Sequence, residues 1–128
     1  MAEGNRRRCR AVLVVEDDPD VRETVTEAIA RTGRTVLSAG DGSEALSVLD
    51  SGTLPRPCFV FLDLMMGPVD GRAFLKRLHD RDDRDQFPVV VVSATPGAVP
   101  KDLRSSVLET LQKPFQIETL LALLDQHC

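Results

Sequence analysis

The sequence predicts an α/β fold: a doubly wound, five-stranded parallel sheet with helices on both faces. Two observations carry this. Short apolar runs alternate with segments of helical periodicity five times along the 128-residue chain, and βα alternation of that kind builds a parallel sheet. The clearest runs are apolar throughout, as strands covered on both faces must be.

Ala11 to Val15 (AVLVV) is the first strand. Pro19 and Asp20 open a helix in which Val21, Val25, Ala28 and Ile29 share one face, and Gly33 ends it. Thr35 to Ala39 is a second strand with weaker patterning. Asp41-Gly42-Ser43 starts the next helix, with Ala45, Val48 and Leu49 facing inward. Gly52 to Pro57 is a loop. Cys58 to Leu62 is the third strand, and Asp63 to Asp70 a loop containing Gly67-Pro68. A helix from about Gly71 turns Phe74, Leu75 and Leu78 to the core. Asp80 to Gln86 is a solvated connection. Val89 to Val92 is the plainest buried strand. Pro96, Gly97 and Pro100 then form a loop before a short helix near Lys101 to Ser106. Leu108 to Leu111 is a weak fifth strand, and a helix from about Gln116 carries Ile117, Leu120, Leu121 and Leu124 at helical spacing.

No internal repeat, low-complexity tract or linker interrupts this pattern. The expected organisation is a frayed segment over residues 1–10 and one domain over 11–128. Hydrophobic residues at 42% and charged residues at 28% suit a soluble globular protein. A formal charge of −4 argues against nucleic acid as a partner. The basic run Arg6, Arg7, Arg8 and Arg10 reads as a solvated start. Cys9, Cys58 and Cys128 are odd in number and widely spaced, so neither a disulfide framework nor a zinc site is expected. Cys58 reads as a buried free thiol. No apolar stretch reaches the roughly 18 residues of a membrane span. No signal-peptide pattern is present, and a cytoplasmic location is the expectation.

In open parallel sheets, ligands bind outside the carboxyl ends of the strands. Strand one ends in Glu16-Asp17-Asp18, strand three in Asp63, strand four in Ser93-Ala94, and strand five in Lys113-Pro114. Singly, each is an ordinary turn, cap or surface residue. Together they form a set with one chemistry. Mg²⁺ takes oxygen ligands, typically carboxylates, waters and phosphate oxygens. Glu16, Asp17 and Asp63 supply carboxylates, and the Met65 backbone carbonyl another oxygen. A divalent cation relieves the repulsion among packed acids. An Asp carboxylate is an adequate nucleophile toward a phosphoryl group. The Lys113 ammonium and Ser93 hydroxyl suit the charge on its oxygens.

In four segments the chain resembles the receiver domains of two-component response regulators, of the chemotaxis-regulator type. They are Val14 to Arg22 (VVEDDPDVR); Phe61 to Met66 (FLDLMM) with Asp70-Gly71; Val91 to Ala94 (VVSA); and Lys113 to Phe115 (KPF). The likeness runs from about Ala11 to Leu124. It implies a flavodoxin-like sheet in the order 2-1-3-4-5. It implies that Asp63 is the phosphoacceptor and that Mg²⁺ (or Mn²⁺) is held by Glu16, Asp17, Asp63 and the Met65 carbonyl. Asp17 is then the direct ligand and Glu16 acts through water. Ser93 is the switch hydroxyl, with Ala94 beside it, and Lys113 binds phosphate. Lys113–Pro114 is implied to be cis. The implied donor is a histidine kinase or phosphotransfer protein, and the implied output is a change of affinity for a downstream protein. The chain is expected to be a signalling domain rather than an enzyme, a monomer or weak dimer, touching neither nucleic acid nor membrane.

Three departures stand out. The acceptor loop has Gly67-Pro68 where the family often has Pro then Gly. Thr110 holds a position usually aromatic. The stretch from Ser93 to Lys113 is short, so the fourth helix is expected to be short or displaced. Aspartyl-phosphate hydrolases use a similar Asp, but they place a second acid two residues later, where this chain has Met65. A constitutive interaction module is the other alternative, and metal binding at the acids discriminates it. No phosphate-binding glycine loop is present, and no helix-turn-helix follows the last helix. His79 and His127 read as surface residues, and Phe115 as core packing.

Overall fold

A computed structural model describes residues 9–65, 71–95 and 97–128. The expectations for Arg6 to Arg8, Met66, Gly67-Pro68, Asp70 and Pro96 fall outside these. The elements are β1 (Ala11–Val15), α1 (Pro19–Ala30), β2 (Thr35–Ala39), α2 (Gly42–Asp50), β3 (Cys58–Asp63), α3 (Gly71–His79), β4 (Val89–Ser93), β5 (Val107–Gln112) and α4 (Ile117–His127). Two 3₁₀ turns, Arg84–Gln86 and Lys101–Ser106, lie in the connections. All strand pairs are parallel, in the order β2-β1-β3-β4-β5.

The strands that read as most apolar are the central ones. Every residue of β1, β3 and β4 is buried, whereas β2 and β5 lie at the edges and are partly exposed. Successive side chains of a strand point to opposite faces, so the core divides in two. On one face Leu13, Val60, Leu62 and Val91 pack with α2 and α3 through Ala45, Leu49, Phe74, Leu75 and Leu78. On the other, Val12, Val14, Phe59, Phe61, Val90 and Val92 pack with α1 and α4 through Val25, Ile29, Leu120 and Leu124. Val48 and Leu121 are only partly buried against these clusters.

The helix starts follow from capping. The Asp18 carboxylate accepts from the amides of Asp20 and Val21, and Asp41 accepts from Glu44, which satisfies orphan first-turn donors. α1 ends at Ala30, and Gly33 (φ 89°) makes the turn beyond it.

Three local expectations need correction. Arg10 and Cys9 do not fray: the Arg10 amide bonds Pro57 O at 2.7 Å, and Cys9 is disulfide-bonded to Cys128. The cysteine spacing alone predicts no disulfide. The fold brings the two ends together at the base of the sheet, and closing a loop of 119 residues restricts the unfolded chain, which stabilises by up to about 5 kcal/mol. The Asp80 to Gln86 connection is solvated as expected, with Asp80, Asp82, Arg84 and Asp85 exposed, and ion pairs tie it down. Arg81 bonds Asp83 and Asp50, Arg56 bonds Asp83, and both guanidinium groups lie over the Phe87 ring. Finally, neither histidine is a simple surface residue. His79 is half-buried against Ser106 through its Nδ1, and the His127 Nε2 is buried.

The fourth crossover contains a 3₁₀ turn where the other three contain α-helices. Leu103 and Val99 pin it to the core. It leaves part of β5 uncovered: Leu108 is 41% exposed, and Thr110, opposite Val91, is exposed as well.

Candidate functional site

Adjacent parallel strands end together, so the carboxyl ends of β1 and β3 bring Glu16, Asp17 and Asp63 side by side. Each offers a carboxylate oxygen, and these oxygens lie within 4.8 Å of one another. Glu16 and Asp63 are buried and Asp17 is exposed, so the cluster has a solvent-facing side. Lys113 follows β5 two strands away and reaches back across the β4 end. Its Nζ donates to Asp63 Oδ2 at 3.1 Å and to Glu16 Oε1 at 3.3 Å.

The remaining carboxylate oxygens are held by backbone. Asp63 Oδ1 accepts from the Met65 amide at 3.1 Å, and Glu16 Oε2 from the Asp18 amide at 3.2 Å. Met65 itself is exposed. Ser93 is buried at the end of β4. Its hydroxyl accepts from the Thr95 amide at 3.0 Å and donates to Thr95 O at 3.3 Å. The Ser93 carbonyl also accepts from the Lys113 amide at 2.9 Å. Ala94 is exposed and, with Lys113, Pro114, Phe115, Val21 and Ile117, lines a recess of about 630 Å³ between α1 and the start of α4. Phe115 meets Phe61 with ring centroids 5.6 Å apart. The Lys113–Pro114 peptide is cis, as is Arg56–Pro57. Thr110 stands on β5, away from the acids.

These contacts set the electrostatics. Burial pushes the Glu16 carboxyl up to about 7, helped by its hydrogen bond to Asp63 and the Asp63 charge. The Asp18 amide and the Lys113 charge oppose the rise. Burial works to lower Lys113, but its bond to Asp63 and the charges of Asp63 and Glu16 outweigh it and hold the ammonium above the usual lysine range. Because folded Glu16 binds its proton more tightly than the unfolded residue at 4.5, folding is favoured most below 4.5. Without divalent ions, stability from this group should fall as pH rises from about 4.5 through about 7. Urea melts across that range check this. Glu16→Gln should remove the slope, and an unchanged slope would count against the assignment.

Two further residues shape the site and received no role from the sequence, although both lie in the motif segments. Arg22, on α1, donates from Nη1 to Glu16 O at 2.8 Å and fixes the turn that carries the acid pair. Gly71 starts α3 directly behind Asp63. A Cβ there would stand 2.4 Å from Asp63 O and 2.7 Å from Leu64 Cα. The Gly71 amide bonds Leu64 O at 3.0 Å.

A parallel 2-1-3-4-5 sheet with an acidic cluster and a lysine at its carboxyl edge defines a class of signalling domain. Residues 12–125 match the response regulator receiver domain, and the chain belongs to that family. It is 36% identical over 113 residues to the response regulator MprA of Mycolicibacterium vanbaalenii, and 36% identical to that of Mycobacterium ulcerans. The match covers 87% of this chain and 47% of each relative, so the chain spans about half the length of the curated relatives it matches. Among solved structures, it is similar to a CheY-like receiver domain protein of Methanospirillum hungatei at 27% identity and a TM-score of 0.79, covering 91% of this chain and 93% of that one. TrrA of Thermotoga maritima, solved in complex with Mg(2+)-BeF, shares the fold at 23% identity and a TM-score of 0.77, covering 93% and 99%. No helix among the described residues is long and apolar enough to cross a membrane.

Proposed function

We propose that this chain is a phosphoacceptor. In this reading Asp63 takes a phosphoryl group from a histidine kinase or phosphotransfer protein in a Mg²⁺-dependent reaction, and the product changes affinity for a downstream protein. The working form is a cytoplasmic monomer or weak dimer. The observation that carries the reading is the Lys113 ammonium seated on Asp63 Oδ2, with Glu16 and Asp17 alongside.

The donor set fits a hard divalent cation, because every side chain offered is a carboxylate. Glu16, Asp17 and Asp63 would hold it, with the Met65 carbonyl. Mn²⁺ suits the same oxygens. When bound, the ion offsets the repulsion of the acids and the charge of the incoming phosphoryl group.

The protein's own residues do the rest. An Asp63 carboxylate oxygen forms the new O–P bond while the donor's N–P bond breaks. The imidazole leaves with the electron pair and takes up a proton. Lys113 exchanges part of its contact with Asp63 for a phosphoryl oxygen, and so keeps a partner throughout. The apolar recess beside Lys113 gives the donor protein a surface to rest on. The Ser93 hydroxyl is engaged by Thr95 and must leave that loop to reach the new group. Its departure couples modification to the backbone of residues 93–95.

Radiolabelled phosphohistidine donor, with Mg²⁺ and then with excess chelator, tests the reading. Label should appear only with Mg²⁺, and equal labelling under both conditions would reject it. Ser93→Ala should still take up label but lose most of the gain in partner affinity. An undiminished gain in the phosphorylated variant would exclude the hydroxyl from the switch.

A further inference from the structure

We propose that Cys9 and Cys128 form a reversible thiol–disulfide site that exchanges with low-molecular-weight disulfides and, when oxidised, clamps the end of α4 to the base of the sheet. This goes beyond the phosphoacceptor reading and rests on it only for the cytoplasmic location.

The pair is isolated. Cys9 precedes β1 by two residues and Cys128 caps α4, and both pack against the α1–α4 side of the sheet. The third cysteine is kept out. Cys58 is fully buried, belongs to the core on the opposite face, and burial pushes its thiol up to about 12. A thiol held protonated is a poor nucleophile and does not join an exchange. Cys9 and Cys128, in contrast, are partly exposed and open to a small reagent.

The bond also matters locally. Beyond Leu124, the Cys128 amide bonds Leu124 O at 2.8 Å, and Asp125 pairs with Arg34 at 3.0 Å. That ion pair is largely exposed on the Asp125 side, and exposed pairs hold weakly. The covalent link is therefore the strong restraint on the last turn of a helix whose first turn follows Lys113. Where disulfides occur in reducing compartments, they are usually transient or redox-sensing.

The exchange balances in two steps. One cysteine thiolate attacks a sulfur of the small disulfide, forms a mixed disulfide and expels one small thiolate. The second cysteine thiolate attacks the protein sulfur of that intermediate, closes Cys9–Cys128 and expels the second small thiolate. Two protein thiols are oxidised, one small disulfide is reduced, and the two protons end on the released thiols.

The test uses the full chain in glutathione buffers from fully reduced to fully oxidised. Samples are alkylated and read by mass spectrometry, with amide hydrogen exchange measured in parallel. Cys9 and Cys128 should convert together at a midpoint inside the glutathione range, with Cys58 unlabelled in the native protein. Amides of residues 125–128 should exchange at least about tenfold faster when reduced. Cys9→Ser should show the fast exchange in every buffer. The proposal is overturned by a pair that never closes, by one that never opens, or by Cys58 entering a bond. It is overturned equally by exchange at 125–128 that ignores the buffer.

Discussion

Asp63→Asn should take up no detectable phosphoryl group and should keep its fold. The side chain keeps its shape, and its amide oxygen can still accept from the Met65 amide or from Lys113. What disappears is the anionic oxygen that the proposed transfer uses, since an amide oxygen does not form a stable acyl phosphate. Lys113 retains Glu16 as a partner at 3.3 Å, so no buried charge is stranded. Glu16 loses the hydrogen bond and the charge that help raise it, and should titrate lower than in the native protein. Labelling with a phosphorylated donor, alongside a thermal melt, decides the matter. Full labelling of the variant would place the acceptor elsewhere, and loss of the melting transition would mean that Asp63 is also a structural requirement.

Gly71→Ala should be the most damaging single-methyl change at this site. The added carbon meets Asp63 O at 2.4 Å and Leu64 Cα at 2.7 Å, both backbone atoms that cannot swing aside. Either α3 must retreat or β3 must shift. Overpacking of this kind costs about 3 kcal/mol, or about 10 °C in Tm for a domain of this size. The shift falls on the peptide that carries Asp63, so under the proposed function phosphoryl uptake should slow as well. A variant with native Tm and native uptake would show that the approach of α3 to β3 is not as close as the backbone places it.

The contrast between these two positions shows what the chain makes legible. Asp63 could be picked out because it follows an apolar run, and strand ends in a parallel sheet converge by topology. The same holds for Glu16, Asp17, Ser93 and Lys113, whose order along the chain matches the adjacency of β1, β3, β4 and β5. Gly71 is different. Its role depends on how closely α3 approaches β3, which no periodicity encodes. Arg22 reads as one more polar residue of an amphipathic helix until its partner, the Glu16 carbonyl, is located. Cys9 and Cys128 read as unrelated, because their meeting depends on the sheet's base and the length of α4 together. The fourth crossover is legible as short from its prolines, but not as a 3₁₀ turn. His79 reads as a surface residue because Ser106, its partner, lies 27 residues away.

β1, β3 and β4 are apolar and covered on both sides, and their ends carry the acids and the serine. Amides in such strands open last, at a cost near that of unfolding the whole domain. The chemistry therefore rests on an anvil. A new charge at its edge cannot dent the floor, and the work it does must go into the connections around the rim.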